Sequence, residues 1–347
     1  MTRPRIGLAC NEVTEARCLD ASVRARLAEL GELVVGRFDE PSSWDAPPPP
    51  NPATEARFVA FARELDLLML SHGAPCITGA ILDEVPRLRF IGELEGDRFA
   101  RRIDLSAAAA RGVKVVDTTH GSSTPVSEWA LGMMLVGLRN AGSLFRRMIA
   151  GEIIGQAEKR SDPGYLRGEL TGKCVGLIGC GYIGRRLLEL LAPFRCKILV
   201  YDPHVPRLLA DIYDLTLTSL DAVISRPDVV VCLAPHTPET RRMIGAREIA
   251  LLHPGAVFVN VSRGTIVDSE ALIARLRQND MIACLDVFDP EPVPADSPVR
   301  TLPNVFLTPH IAGVTAAGGP RFVSLMVDEI QRFLNGDETR HDLRARF

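Results

Sequence analysis

The chain has 347 residues, a formal net charge of −3, and 46% hydrophobic and 24% charged residues, the balance of an ordinary globular protein. A charge so near neutral leaves no basic face for nucleic-acid phosphates. The longest apolar stretch, 129–138, ends at Arg139 and falls short of the ~18 residues a membrane span needs, so nucleic acid and membrane are both excluded as partners.

At about 150 residues per domain, two domains are expected. The opening MTRPRIGLAC lacks the apolar region of a signal peptide, and the eight cysteines show no CxxC or paired metal spacing. A reducing, cytoplasmic setting is predicted, with no metal.

Short apolar runs alternate with helix-like stretches through the first third, the sequence form of a parallel α/β sheet. Strands are predicted at 5–10, 33–38, 67–71, 89–92 and 113–117, with helices at 21–30, 53–64, 77–85 and 105–110 between them. Residues 47–51, four prolines and Asn51, predict a stiff extended loop. One long helix is expected over 122–150, opened by Ser123-Thr124-Pro125 and striped by Ala130, Met133, Met134 and Leu138. The polar, Gly/Pro-punctuated stretch 153–167 predicts a loop.

From Lys173 a second series begins, with strands at 174–179, 197–202, 229–234, 256–262, 282–288 and 305–310. These runs are rich in Val, Ile and Leu without alternation, as strands buried on both faces should be. Helical spacing returns over 316–335.

Gly179-Cys180-Gly181-Tyr182-Ile183-Gly184 lies between a buried strand and a helix expected over 183–195, the context a dinucleotide fingerprint requires. The first glycine permits the tight turn, the second lets backbone approach a pyrophosphate, and the third allows close helix–strand packing. The helix N-terminus supplies N–H groups to the phosphates. Asp202, 18 residues past Gly184 at the next strand end, can accept hydrogen bonds from ribose hydroxyls and repels a 2′-phosphate. NAD is therefore predicted over NADP.

Three further residues follow at strand ends: Arg263 in NVSRGTIVD, Glu291 in DVFDPEP and His310 in TPHIAG. In an open α/β sheet such positions converge on one crevice. Arg263 can present a planar fork of donors to a carboxylate. His310 can donate a proton to a carbonyl oxygen, or take one back in the reverse direction. Glu291, hydrogen-bonded to the imidazole, would orient it and favour the protonated ring. Asp268 and Glu270 read as cap and first-turn residues of a helix, and His236 and His120 as bystanders.

The motifs NVSRG, LDVFDPEP and TPHIAG, preceded by GELTGKCVGLIGCGYIG, resemble the D-isomer-specific 2-hydroxyacid dehydrogenase family, which includes phosphoglycerate dehydrogenases and glyoxylate/hydroxypyruvate reductases. The resemblance is strong from about Gly168 to Thr315 and weak before. It implies an α/β protein of two doubly wound parallel-sheet domains, a Rossmann NAD-binding domain over 118–309 inserted into a flavodoxin-like substrate domain of 1–117 and 310–347. It also implies an NAD-dependent oxidoreductase acting on a D-2-hydroxy acid/2-oxo acid pair, with Arg263, Glu291 and His310 catalytic, and a homodimer.

By the same resemblance Ile183, Ala234, Ser262, Asp286 and Gly313 match dinucleotide-contacting positions, Asp286 lying near the nicotinamide carboxamide, with Arg263 and His310 also adjacent to the cofactor. A nicotinamide-binding sensor or corepressor, or a dehydrogenase of another substrate such as phosphite, remains the alternative. Formate enzymes carry Gln where Glu291 stands.

The match breaks at 91–102, where relatives have a glycine-rich loop that receives the substrate carboxylate. Charges stand where glycines are expected, and Gly96 keeps part of such an anion-binding turn. Glu93, Glu95 and Asp97 would repel a second negative charge unless Arg98, Arg101 or Arg102 compensates. An atypical substrate, with a polar or cationic side chain, is the expectation drawn from this loop.

Overall fold

The computed structural model describes residues 3–41, 47–95 and 102–343. The chain forms two compact units, 1–122 with 315–347, and 123–314. These divisions fall a few residues beyond 117 and 310.

The first unit contains strands β1 (Arg5–Cys10), β2 (Glu32–Arg37), β3 (Leu67–Leu70), β4 (Phe90–Glu93) and β5 (Lys114–Asp117). They pair in parallel in the order β2-β1-β3-β4-β5, the flavodoxin-like arrangement. Both sheet faces are covered. Ile6, Leu8, Met69 and Phe90 meet Val323, Met326 and Ile330 of the helix Gly318–Asn335 on one side. On the other, Leu68, Leu70, Ile91 and Val115 pack with Phe58 and Ile81. Each fully buried aliphatic or aromatic side chain contributes roughly 1.5–3 kcal/mol.

Helix starts in this unit are set by short polar residues. Asn11 accepts from Thr14 N at 2.8 Å, Asp20 from Val23 N at 2.8 Å and Asp104 from Ala107 N at 2.9 Å. Each such cap is worth about 1 kcal/mol. The outer edge of β5 is closed by the C-terminal segment: Asp117 N donates to His341 O at 3.0 Å and Leu343 N to Val115 O at 2.9 Å.

The second unit contains β6 (Cys174–Ile178), β7 (Lys197–Tyr201), β8 (Leu215–Leu217), β9 (Val229–Cys232), β10 (Val257–Asn260), β11 (Ile282–Leu285) and β12 (Val305–Leu307). Their order is β12-β11-β10-β9-β6-β7-β8, again all parallel, with the reversal of a doubly wound Rossmann sheet between β9 and β6. The run Val229, Val230, Val231 and Cys232 is fully buried, which explains its lack of alternation. β8 spans only three residues, too few for a periodic signal.

The single helix expected over 122–150 is in fact two, Ser123–Leu138 and Ala141–Ile149. Asn140 breaks it by adopting a left-handed backbone with φ +49°, and its Nδ2 donates to Asp162 Oδ2 at 3.0 Å. Asn tolerates that conformation better than other residues with a β-carbon. The loop expected over 153–167 contains two short helices, Gln156–Ser161 and Pro163–Arg167, the second capped by Asp162 on Gly164 N at 2.6 Å. The helix expected over 183–195 runs from Tyr182 to Leu191 and ends in a turn through Pro193, with Arg195 left-handed at φ +52°. Among the described residues no helix is long and apolar enough to cross a bilayer.

Candidate functional site

The reversal of strand order at β6 and β9 marks where an α/β sheet opens a ligand crevice at its carboxyl edge. Gly179 leaves β6 with φ +94°, and a Cβ there would lie 2.8 Å from Ala234 N, so only glycine can make this turn beside the β9 exit. A Cβ on Gly184 would lie 3.0 Å from Gly179 O, tightening helix against strand.

Gly181 is different. Its φ of −73° is ordinary, and no protein atom lies within 4 Å of where a Cβ would stand. The protein itself does not need a glycine there, so the open space fits a ligand lying against backbone.

The helix Tyr182–Leu191 starts at this point without a side-chain cap, leaving first-turn N–H groups for an anion. Tyr182 is 36% exposed and Ile183 leans on the core. Asp202 accepts Cys180 N on Oδ2 and His204 N on Oδ1, both at 2.8 Å. Each oxygen keeps a further acceptor direction for a ribose hydroxyl. Ala234 is buried, and its carbonyl accepts the Ser262 hydroxyl, tying the β9 exit to that of β10. Burial pushes the Cys180 thiol inside the glycine turn up to about 11, so it stays protonated. This residue set fits a dinucleotide.

At the exit of β10, buried Asn260 accepts Ser262 N on Oδ1 at 3.1 Å and donates from Nδ2 to Arg263 O at 3.2 Å. That bracket sets the backbone from which half-buried Arg263 projects, its Nη1 donating to Ser262 O at 2.8 Å. His310 lies beyond β12, and its Nδ1 is 2.7 Å from Glu291 Oε1. The two side chains are 29% and 34% exposed, respectively. With the Nδ1 proton directed at the carboxylate, Nε2 is the ring nitrogen left for chemistry. His310 itself has φ +53°.

Asp286 is fully buried, and both its carboxylate oxygens serve the segment 308–312: Oδ1 accepts Thr308 Oγ1 at 2.5 Å and Ile311 N at 3.0 Å, Oδ2 accepts Ala312 N at 2.9 Å. Gly313 lies in the turn that follows, closed by Val314 N on Ile311 O at 2.9 Å. Thr308, Trp129 and Asn260, which share in this scaffolding, were not singled out by sequence. Asn260 and Thr308 open the NVSRG and TPHIAG motifs and Trp129 the apolar stretch 129–138, but the motifs alone assign none of the three a role.

Gly96, Asp97, Arg98 and Arg101 lie outside the described residues. The carboxylates before them do not stand open to repel an anion. Glu95 has a side chain 2% exposed, pairs with Arg17 and accepts the Ser71 hydroxyl at 3.3 Å. Among the described residues its cationic partner is Arg17, 78 residues away in the chain. Arg102, itself buried, reaches Ser71 O at 2.6 Å and lies 3.5 Å from Glu93.

His72 Nε2 is 3.7 Å from Glu95. Burial holds its imidazole below the usual histidine range, against the pull of that carboxylate. His120 stacks on His341, ring centroids 4.0 Å apart, in the first unit. Asp268 caps the helix Ser269–Leu276, accepting Ala271 N at 3.1 Å, with Glu270 in the first turn.

Residues 131–312, just over half of the chain, match the family profile described as D-isomer specific 2-hydroxyacid dehydrogenase, NAD binding domain. The chain is 30% identical over 286 residues to D-3-phosphoglycerate dehydrogenase of Methanocaldococcus jannaschii, covering 82% of this chain and 52% of that protein. It is 36% identical over 242 residues to a mitochondrial formate dehydrogenase of Hordeum vulgare, covering 68% of this chain and 62% of that one. It therefore spans between half and two thirds of these relatives' length.

A phosphoglycerate oxidoreductase from Rhizobium etli has the same fold, with a TM-score of 0.82 at 23% identity over 99% of this chain and 98% of that chain. With its second unit matching the family's NAD-binding domain, the chain belongs to the D-isomer specific 2-hydroxyacid dehydrogenase family.

Proposed function

We propose that the protein is an NAD-dependent oxidoreductase that transfers a hydride between NAD(H) and a D-2-hydroxy acid/2-oxo acid pair. The observation that carries this reading is the His310 Nδ1 to Glu291 Oε1 contact of 2.7 Å, in the same unit as Arg263 and the glycine turn. Gly179, Gly181, Tyr182, Ile183, Gly184, Asp202, Ala234, Ser262 and Gly313 would hold the dinucleotide, with Asp202 favouring the form without a 2′-phosphate. When bound, NADH supplies the hydride that reaches the carbonyl carbon.

The chain's own residues do the rest. Arg263 anchors the substrate carboxylate through its guanidinium. In reduction His310 gives the Nε2 proton to the carbonyl oxygen, and in oxidation the neutral ring removes it from the hydroxyl. Glu291 keeps the Nδ1 proton in place throughout, so the ring presents the same nitrogen in both directions. The division of labour expected from the sequence, a cofactor domain over 118–309 and a substrate domain over 1–117 and 310–347 that includes Gly96, is part of this proposal.

The test is NADH oxidation against small, aromatic, acidic and basic 2-oxo acids, with formate and phosphite tried against NAD⁺ and His310→Ala run alongside. Turnover of a 2-oxo acid that falls at least ~100-fold in the variant is expected. Tight NADH binding with every substrate silent would leave the sensor reading in its place.

A homodimer and a cytoplasmic location belong to the same reading. Phe145, Met148, Ile149, Ile153, Tyr165 and Leu166 are 64–96% exposed on neighbouring segments, more apolar surface than a solvated face needs. Light scattering should give a mass twice the 37.8 kDa chain, and Phe145→Glu with Met148→Glu should halve it. All eight cysteines are free, as in a reducing compartment.

A further inference from the structure

The residue to which the acid/base role falls has a backbone that a side-chain-bearing residue rarely adopts: His310 is left-handed at φ +53°. Such a conformation persists only where its surroundings over-determine it. Here the surroundings are one buried carboxylate and the groups bonded to it. Asp286 O accepts His310 N at 2.8 Å, while its side chain takes Thr308 Oγ1, Ile311 N and Ala312 N, the residues on either side of the histidine.

The hydroxyl of Thr308 is itself oriented. Trp129 Nε1, on the helix Ser123–Leu138, lies 3.4 Å from Thr308 Oγ1, and an indole N–H can only donate. The Thr308 oxygen therefore accepts from Trp129 and sends its own proton to Asp286. The three groups form a directed chain from the helix to the turn.

We propose that Trp129, Thr308 and Asp286 are positioning residues for His310, a main-chain clamp that aims Nε2 while Glu291 holds the other ring nitrogen. This rests on the acid/base reading of His310. It assigns to Asp286 work on the 308–312 turn, beside the carboxamide contact implied by resemblance. Two anchors, one on the ring and one on the backbone, leave the imidazole little freedom to tilt. A misplacement of about 1 Å at a reacting group can cost ~100-fold in rate.

Thr308→Val removes the hydroxyl and keeps the shape, Thr308→Ser restores the hydroxyl, and Trp129→Phe removes the upstream donor. The readouts are kcat and KM with the best 2-oxo acid, the NADH dissociation constant from nicotinamide fluorescence, and hydrogen exchange of the His310 amide by mass spectrometry.

The clamp predicts that Thr308→Val lowers kcat about 10- to 100-fold with NADH affinity within about twofold, and speeds exchange at the His310 amide. Thr308→Ser should recover most of the rate, and Trp129→Phe should lose a few-fold in the same direction. An unchanged amide exchange, a faster exchange without loss of kcat, or a loss that serine does not recover would each overturn it. His310→Ala separates the two claims. Near-parental turnover in that variant sinks the acid/base reading itself, whereas inactive His310→Ala beside a fully active Thr308→Val sinks only the clamp.

Discussion

Gly264 faces the main chain of Phe288 so closely that a Cβ on it would lie 1.8 Å from the Phe288 carbonyl oxygen. The loop behind Arg263 and the loop leading to Glu291 thus touch backbone to backbone, without a side chain between them. Any residue other than glycine forces them apart. Gly264→Ala is expected to cost about 1–3 kcal/mol of stability by overpacking. It should also lower kcat/KM by about 100-fold through displacement of both side chains. A thermal melt beside steady-state kinetics checks both, and a parental melting temperature with parental turnover would contradict the contact.

Gly179 and Gly181 separate folding from cofactor binding. Gly179→Ala meets both a φ of +94° and the Ala234 amide 2.8 Å from its Cβ, so it should lower the melting temperature of the apoprotein as well as NADH affinity. Gly181→Ala meets neither obstacle, and its methyl would occupy the open space beside the helix start. The expected result is an unchanged melting temperature with NADH binding weakened at least ~10-fold. Calorimetric titration of both variants decides it, and full affinity in Gly181→Ala would place the pyrophosphate elsewhere.

Glu95 is a buried ion-pair partner of Arg17. Its side chain is 2% exposed and that of Arg17 is 40% exposed, so the pair is half screened by solvent. Removing the charge with Glu95→Gln should cost roughly 1–3 kcal/mol in urea unfolding and leave the order of preference among 2-oxo acids unaltered. A variant of parental stability with a new substrate order would restore the selective role expected from sequence.

His72 gives the first unit a pH dependence of definite sign. Its imidazole titrates below the ordinary histidine value of about 6.5 because burial disfavours the charged ring. Below pH 6.5 the unfolded chain therefore binds a proton that the folded chain refuses, and stability falls as the pH drops toward the folded value. Glu15 and Asp221, held low by Arg37 and Arg247, respectively, lose their contribution only below 4.5 and 3.8. Melting temperature recorded from pH 7.5 to 5.0 should decline, and His72→Asn should flatten that decline. An equal slope in both proteins would assign the effect to other groups.

Local signals made most of the strands legible. Runs such as Val229–Cys232 carry their own burial in their composition, and the glycine turn, Arg263 and His310 follow within a few residues of strand ends, with Glu291 in the longer loop after β11. What escaped depends on partners far along the chain. The break falls on Asn140 itself rather than on Gly137 or Gly142 beside it, and Asp162 completes it. The Arg17–Glu95 pair joins residues whose proximity only the folded sheet creates. The short helix Glu12–Cys18 starts at Asn11, but seven residues are too few for a periodic stripe.

The left-handed backbone at His310 has a consequence for what any other amino acid could do there. Glycine and asparagine suit that main-chain geometry but bring no group that exchanges protons near neutrality. Glutamate and lysine bring an ionisable group to a backbone that resists them. A saturation library at position 310 would be sorted twice by unrelated criteria, its best-folded members catalytically empty and its best proton carriers poorly folded. On the proposed acid/base role, histidine meets the chemical demand at this position, while its neighbours supply the energy for the conformational one.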